Sequence, residues 1–177
     1  MIHHLATVLI TVALSGCSTY SAPRYSISAD NVTTLRAIGG QSLRVGPFTA
    51  SQPGLSEILC RAAGPVTTQD GEPFSDFVRK ALIDELKIAN AFSETASITL
   101  SGHLNGIDFS SMSGSWDISL AVNSSNGKTI VVTEHYVFRS SFRALTACSQ
   151  TAQALTPAVQ NLIGKLVANT EFRALTQ

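Results

Sequence analysis

ITLSGHLNGIDF (residues 98–109), SWDISLAV (residues 115–122) and TIVVTEHYVF (residues 129–138) follow one another in a chain of 177 residues. In the first, Ile98, Leu100, Gly102 and Leu104 alternate with polar neighbours, the period of a strand with one buried face. The phase then slips, since Ile107 and Phe109 fall on the other parity, and Asn105-Gly106 at the slip predicts a bulge or tight bend. Trp116, Ile118, Leu120 and Val122 alternate again. Ser124-Ser125-Asn126-Gly127-Lys128 predicts a hairpin turn, because Asn-Gly accepts the positive φ that such turns need. Residues 130–138 make the returning strand, rich in β-branched and aromatic side chains. Its inward parity stays open, since Ile130 to Val132 is apolar throughout. Residues 97–139 thus read as a three-stranded antiparallel meander.

Helical spacing flanks the meander. Phe74, Phe77, Val78, Ala81, Leu82, Leu86 and Ala89 form one stripe, which predicts a helix over 74–91. Pro73 suits its first position, and Asp76 favours the first turn and pairs in spacing with Lys80. From Cys148 onward, Ala152, Leu155, Val159, Leu162, Ile163 and Leu166 make a second stripe. Pro157 within it predicts a kink or the true start of that helix, and residues 171–175 add one more turn. On the N-terminal side, Leu43, Val45 and Phe48 predict a strand whose far end Pro47 demotes to an edge or bulge. Residues 52–73 read as loop, rich in Pro and Gly. Residues 31–38 read as a short helix or strand ended by Gly39-Gly40, and residues 18–30 as a polar tether. Strand, helix, meander, helix predicts an α+β fold: a two-layer sandwich with two amphipathic helices on one face of a mainly antiparallel four-stranded sheet. The stripe Phe77, Leu82, Leu86 should face the side of the meander that carries Trp116, Ile118 or Leu120.

Leu14-Ser15-Gly16-Cys17 follows an apolar run from Leu5 to Leu14. The run is about half the ~20 residues of a membrane span. A small residue directly before a cysteine at this place is the pattern of a bacterial lipobox, in which the thiol of Cys17 receives a diacylglycerol and the leader is removed. One departure is an n-region with His3 and His4 but no Lys or Arg. The chain then divides into a leader (1–16), a lipidated N-terminus and tether (17–41) and a single periplasmic domain (42–177). Two or more acyl chains give a stable anchor. Ser18 rather than Asp after the cysteine favours the inner leaflet of the bacterial outer membrane, with the domain in the periplasm.

Without residues 1–16 the chain has 161 residues (177 − 16), the size of one domain with a proper core. Twelve Lys and Arg balance twelve Asp and Glu, which leaves no basic footprint for nucleic acid. Cys60 and Cys148 remain after Cys17 is lipidated, and in an oxidising compartment they predict one disulfide rather than two buried thiols. No pair of ligands has metal-like spacing, so neither metal nor cofactor is expected. Candidate catalytic groups are sparse. There is no Gly-x-Ser-x-Gly elbow, and Gly39-Gly40 lacks a phosphate-loop continuation. His103 and His135 read as solvent-facing strand residues. Asp108 and Asp117 flank the first meander turn as solvated carboxylates, and Asp84-Glu85 lies on the polar side of the first helix. No enzyme is expected.

Four segments carry a resemblance: DFVRKALIDEL (76–86), ITLSGHLNGIDF (98–109), the hairpin about Asn126-Gly127, and AVQNLIGKLV (158–167). With the lipobox they resemble the small envelope lipoproteins of the YajG type and, in outline, LptE and the PqiC-like auxiliary lipoproteins of transport systems. The likeness covers residues 42–175 and rests on topology and hydrophobic pattern. The Cys60 and Cys148 pair is not part of the YajG pattern. The resemblance implies partner binding and assembly at the outer membrane, and offers no catalytic residues to carry over. The expected function is therefore a non-enzymatic, lipid-anchored binding or assembly module, with an envelope protein as partner. The alternative is a periplasmic hydrolase or carbohydrate-binding enzyme. The surface singled out for the partner is the outward face of the 118–136 hairpin, with Ser119 and Asn123 as its markers.

Overall fold

The computed structural model describes residues 18–177, so Cys17 and the leader lie outside the described residues. In chain order the elements are β1 (Tyr20–Ser21), α1 (Ala29–Ile38), β2 (Leu43–Ala50), β3 (Glu57–Cys60), β4 (Gly64–Thr67) and α2 (Phe74–Ile88). There follow β5 (Ile98–Ser110), β6 (Ser115–Ser124), β7 (Thr129–Val137), α3 (Ala144–Val167) and α4 (Phe172–Leu175). The protein is α+β. A four-stranded mixed sheet in the order β2-β5-β6-β7 packs against α2 and α3, beside a small three-stranded sheet in the order β1-β4-β3.

The meander forms as its alternation predicts. β5, β6 and β7 pair antiparallel, and the register shifts between Leu104 and Gly106, where the phase slip placed a bulge. β2 joins the sheet parallel to β5. The intervening α2 makes this a crossover unit, and a strand returning after a crossover runs parallel to the one it left. Trp116, Ile118, Leu120 and Val122 point inward and are buried. In β7 the inward parity is Ile130, Val132 and Glu134. Phe77, Leu82 and Leu86 of α2 belong to the same core cluster as these meander residues. The Trp116 indole meets Phe109 and Phe74 edge-on and donates its N–H to the Thr151 carbonyl of α3 at 2.8 Å. α3 starts before Cys148, at Ala144, and runs through Pro157 as one helix, so the proline neither begins nor ends it. The ring removes one backbone donor, and the burial of Leu155, Val159 and Leu162 outweighs that loss.

Two stretches differ from expectation. Residues 52–73 are not all loop, because β3 and β4 form a hairpin there, turned by Arg61 and Ala62 at positive φ. Residues 18–41 do not hold the domain at a distance. Tyr20 pairs with Val66, the Ala22 amide donates to the Thr67 carbonyl at 2.8 Å, and Ala22 is fully buried. Ser28 caps α1, which buries Val32 and Leu35. The fastening is Glu85, expected on a polar helix face and found completely buried. Its Oε1 accepts from the Tyr25 hydroxyl at 2.6 Å, the Ser28 amide at 2.9 Å and the Asn31 side chain at 3.4 Å. Burial, and then the Glu85 carboxylate, push the Tyr25 phenol well above its ordinary pKa. A polar N-terminal stretch thus packs because a buried acceptor satisfies its donors.

The expected disulfide is present: Cys60 at the end of β3 is bonded to Cys148 in α3, with Cα atoms 5.8 Å apart. Among the described residues, no helix is long and apolar enough to cross a membrane.

Candidate functional site

The bulge divides β5 into halves with different neighbours. Up to Leu104 the strand lies between β2 and β6. β2 ends at Ala50, and the Ser51 amide closes on the Leu104 carbonyl at 3.0 Å. From Gly106 to Ser110, β5 pairs with β6 alone. A cleft of about 440 Å³ lies along this half. Leu55, Ile58 and Ile107 supply apolar wall; Gln52, Glu57, Asn105 and Asp108 supply polar groups. The Phe109 amide is held by its neighbour, Asp108 Oδ1, at 2.8 Å.

Each outermost edge strand of the large sheet is met by one long cationic side chain. Arg79 of α2 donates to the carbonyls of Gly46 and Val45 on β2, at 2.7 and 3.2 Å. Lys165 of α3 donates to the Thr133 carbonyl on β7 at 3.0 Å. Its other contact is the buried Glu134 carboxylate at 2.7 Å, which also accepts from Asn161. Covered edges resist pairing with another chain. Among the described residues, no such side chain donates to a carbonyl of the second half of β5, whose Phe109 amide meets Asp108.

The same half of β5 borders a shallower depression of about 490 Å³ on the outward sheet face, which Lys165 of α3 also lines. Gly106, Asp108, Asp117, Ser119, Thr133 and His135 line it. The register sets them in two cross-strand rows: Gly106, Ser119, Thr133, and Asp108, Asp117, His135. His135 Nδ1 lies 2.6 Å from Asp117 Oδ1, with both side chains more than half exposed. Ser119 Oγ accepts from Asn105 at 3.2 Å, which ties the bulge to β6. Gly106 lines both hollows, and a Cβ built there meets nothing.

Of the residues singled out from sequence, Cys17 lies outside the described residues and Cys60 meets Cys148. Ser119 sits within the depression. Asn123 lies on the same face nearer the hairpin tip, its Oδ1 accepting from Thr129 at 2.7 Å, and is outside the depression. His103 also faces outward, with both ring nitrogens in contact with hydroxyls, those of Thr49 and Ser51. The cleft beside β5 was missed. The bulge that bounds it was legible, but no local pattern tells that β2 stops half-way along its neighbour. Among the described residues, no group of three His, Cys, Asp or Glu side chains is placed to hold a metal ion. No protein-family model matches the chain, and no curated protein matches it.

Proposed function

We propose that the protein is a non-enzymatic, lipid-anchored module of the bacterial envelope, carried by Cys17 on the outer membrane with its domain in the periplasm. In this reading it captures an extended segment of another envelope protein along the second half of β5. The observation that carries the binding reading is the one-sided pairing of residues 106–110 beside an apolar-walled cleft, in a sheet whose outer edge strands each meet a cationic side chain. An extended segment adds main-chain hydrogen bonds at such an edge, and the cleft reads its alternate side chains. The lipobox pattern and the YajG-type segments support the anchor and the envelope setting.

Gly106 provides the test, because it borders both hollows and its Cβ direction is open, so that a large side chain there alters this edge without a clash. A photocrosslinking residue at position 107 should form an adduct in cells that maps to one segment of one protein. Gly106→Trp should abolish that adduct while leaving the unfolding curve in place. An adduct unaffected by Gly106→Trp would sink the reading.

The second reading, a hydrolase, is favoured by one contact, that of His135 with Asp117, beside the Ser119 and Thr133 hydroxyls. Against it, the pair is open to water, and no hydroxyl among the described residues is bonded to the other ring nitrogen of His135. Turnover of an ester or glycoside probe that His135→Ala removes would establish this second reading.

A further inference from the structure

Ser18, the first described residue, has its carbonyl so close to Gly64 that a Cβ at position 64 would overlap it. Gly64 pairs with Cys60 at the turn of the β3–β4 hairpin, and Cys60 is bonded to Cys148 near the start of α3. The chain therefore enters the fold at this hairpin, and Cys17 is one peptide link away, about 3.8 Å between Cα atoms. A lipid on Cys17 leaves no length of chain with which to hold the domain off a membrane.

The end of the molecule at which the chain enters is apolar and basic. Arg61, in the β3–β4 turn, donates to the Ser111 hydroxyl at 2.9 Å and contacts the Ser111 carbonyl. It also donates to the carbonyls of Ser141 and Phe142 at 3.1 and 3.2 Å. One guanidinium thus gathers three surface turns. Around them stand large exposed apolar side chains: Phe142 is fully exposed, Met112 74%, Leu59 66% and Leu145 63%. Arg139 and Arg143 are exposed on either side of Phe142. The turns that meet here, residues 59–64, 110–115 and 138–146, contain no Asp or Glu, although the whole chain carries twelve; Asp108 and Asp117 lie farther along the sheet, and Asp70 pairs with Arg24. Exposed apolar groups of this size gathered at one end mark a contact surface, and arginines among them, in turns that carry no Asp or Glu, match anionic headgroups.

We infer that this end of the domain is a membrane-seating surface, in which Phe142, Met112, Leu145 and Leu59 enter the lipid interface while Arg139 and Arg143 meet anionic headgroups. The inference rests on the proposed lipidation of Cys17, since the anchor brings the surface to the bilayer. It sets the domain upright. β6 starts at this end and runs away from it, which puts the Asn126-Gly127 hairpin tip at the pole facing the aqueous space.

The test uses the full chain, expressed with its leader in bacteria fed labelled palmitate. It is purified in detergent and returned to vesicles of phosphatidylethanolamine and phosphatidylglycerol. Phe142→Cys and Lys128→Cys each carry an environment-sensitive dye, and a spin-labelled lipid is the quencher. Both positions are exposed, and circular dichroism with non-reducing peptide mapping checks that fold and bridge are kept. The dye at 142 should be blue-shifted and quenched by the lipid, while the dye at 128 keeps its aqueous emission. A palmitoylated chain whose dye at 142 matches that at 128 overturns the seating surface alone. A chain that takes up no palmitate overturns the anchor, and the seating surface with it.

Discussion

The four-stranded sheet buries Trp116, Leu120 and Val122 beneath α2 and α3, whereas the strands of its three-stranded neighbour are only two to four residues long. Such strands bury too little to stand by themselves. Covalent and polar ties fasten them instead: the Cys60–Cys148 bridge, the buried Glu85 with its three donors, and the Arg61 clamp. The difference teaches where each region is vulnerable. Apolar burial is insensitive to pH and reductant, and fails when volume is removed. The ties fail to chemistry that leaves the core untouched.

The largest effect should come from the core. Trp116→Ala removes a fully buried ring and its bond to Thr151, and should cost about 3–5 kcal/mol; Leu82→Ala should cost about 2–5. Denaturant unfolding measures both, and a loss under about 1 kcal/mol for Leu82→Ala would remove that stripe from the core.

Opening the bridge in a Cys60→Ala, Cys148→Ala double variant should cost about 2–5 kcal/mol, the usual range for loss of a native disulfide. The loss should appear first in the small sheet. Amide exchange that quickens in residues 57–67 before residues 115–137 would sharpen the contrast, and a uniform increase would erase it.

Tyr25→Phe removes one donor to a buried carboxylate and should cost about 1.5–3 kcal/mol. It also tests a pH effect. Burial and then Glu85 raise the folded-state pKa of Tyr25, so its contribution is complete below the unfolded value near 10 and is lost as pH rises beyond it. Wild type should therefore lose stability above about pH 10 relative to Tyr25→Phe. Parallel alkaline curves for the two proteins would show that the phenol does not fasten the N-terminal segment.

The smallest effect on stability belongs to the open sheet face. Ser119→Arg and Asn123→Arg should each stay within about 0.5 kcal/mol of wild type. Ser119→Arg should still weaken partner capture, because Ser119 lines the depression beside β5, while Asn123→Arg should weaken it less.

The two sheets also differed in how far the sequence announced them. β6 carries a full alternating stripe, β5 one up to its phase slip, and β7 a run of β-branched residues, so strand, bulge and hairpin could be read from Leu100, Trp116 and Asn126-Gly127. The four-residue strands at 57–60 and 64–67 are too short to show a period, and Pro65 within one of them reads as a breaker. Their turn uses Arg61 and Ala62 where a glycine would have signalled it. Glu85 was misjudged because a charged residue on a helix is assigned to water unless its donors are known, and these come from residues 54 to 60 positions earlier. The cleft beside β5 depends on where β2 ends relative to another strand, which is a property of pairing and not of either segment alone.

The bridge joins residues 88 positions apart, and that spacing orders events during maturation. If the chain is exported N-terminus first, as proposed above, Cys60 meets the oxidising compartment while its partner is still far behind. By the time Cys148 arrives, every strand of both sheets has already been delivered. Oxidation then acts on a nearly assembled molecule, as a latch that closes last, and the strands must find their partners without its help.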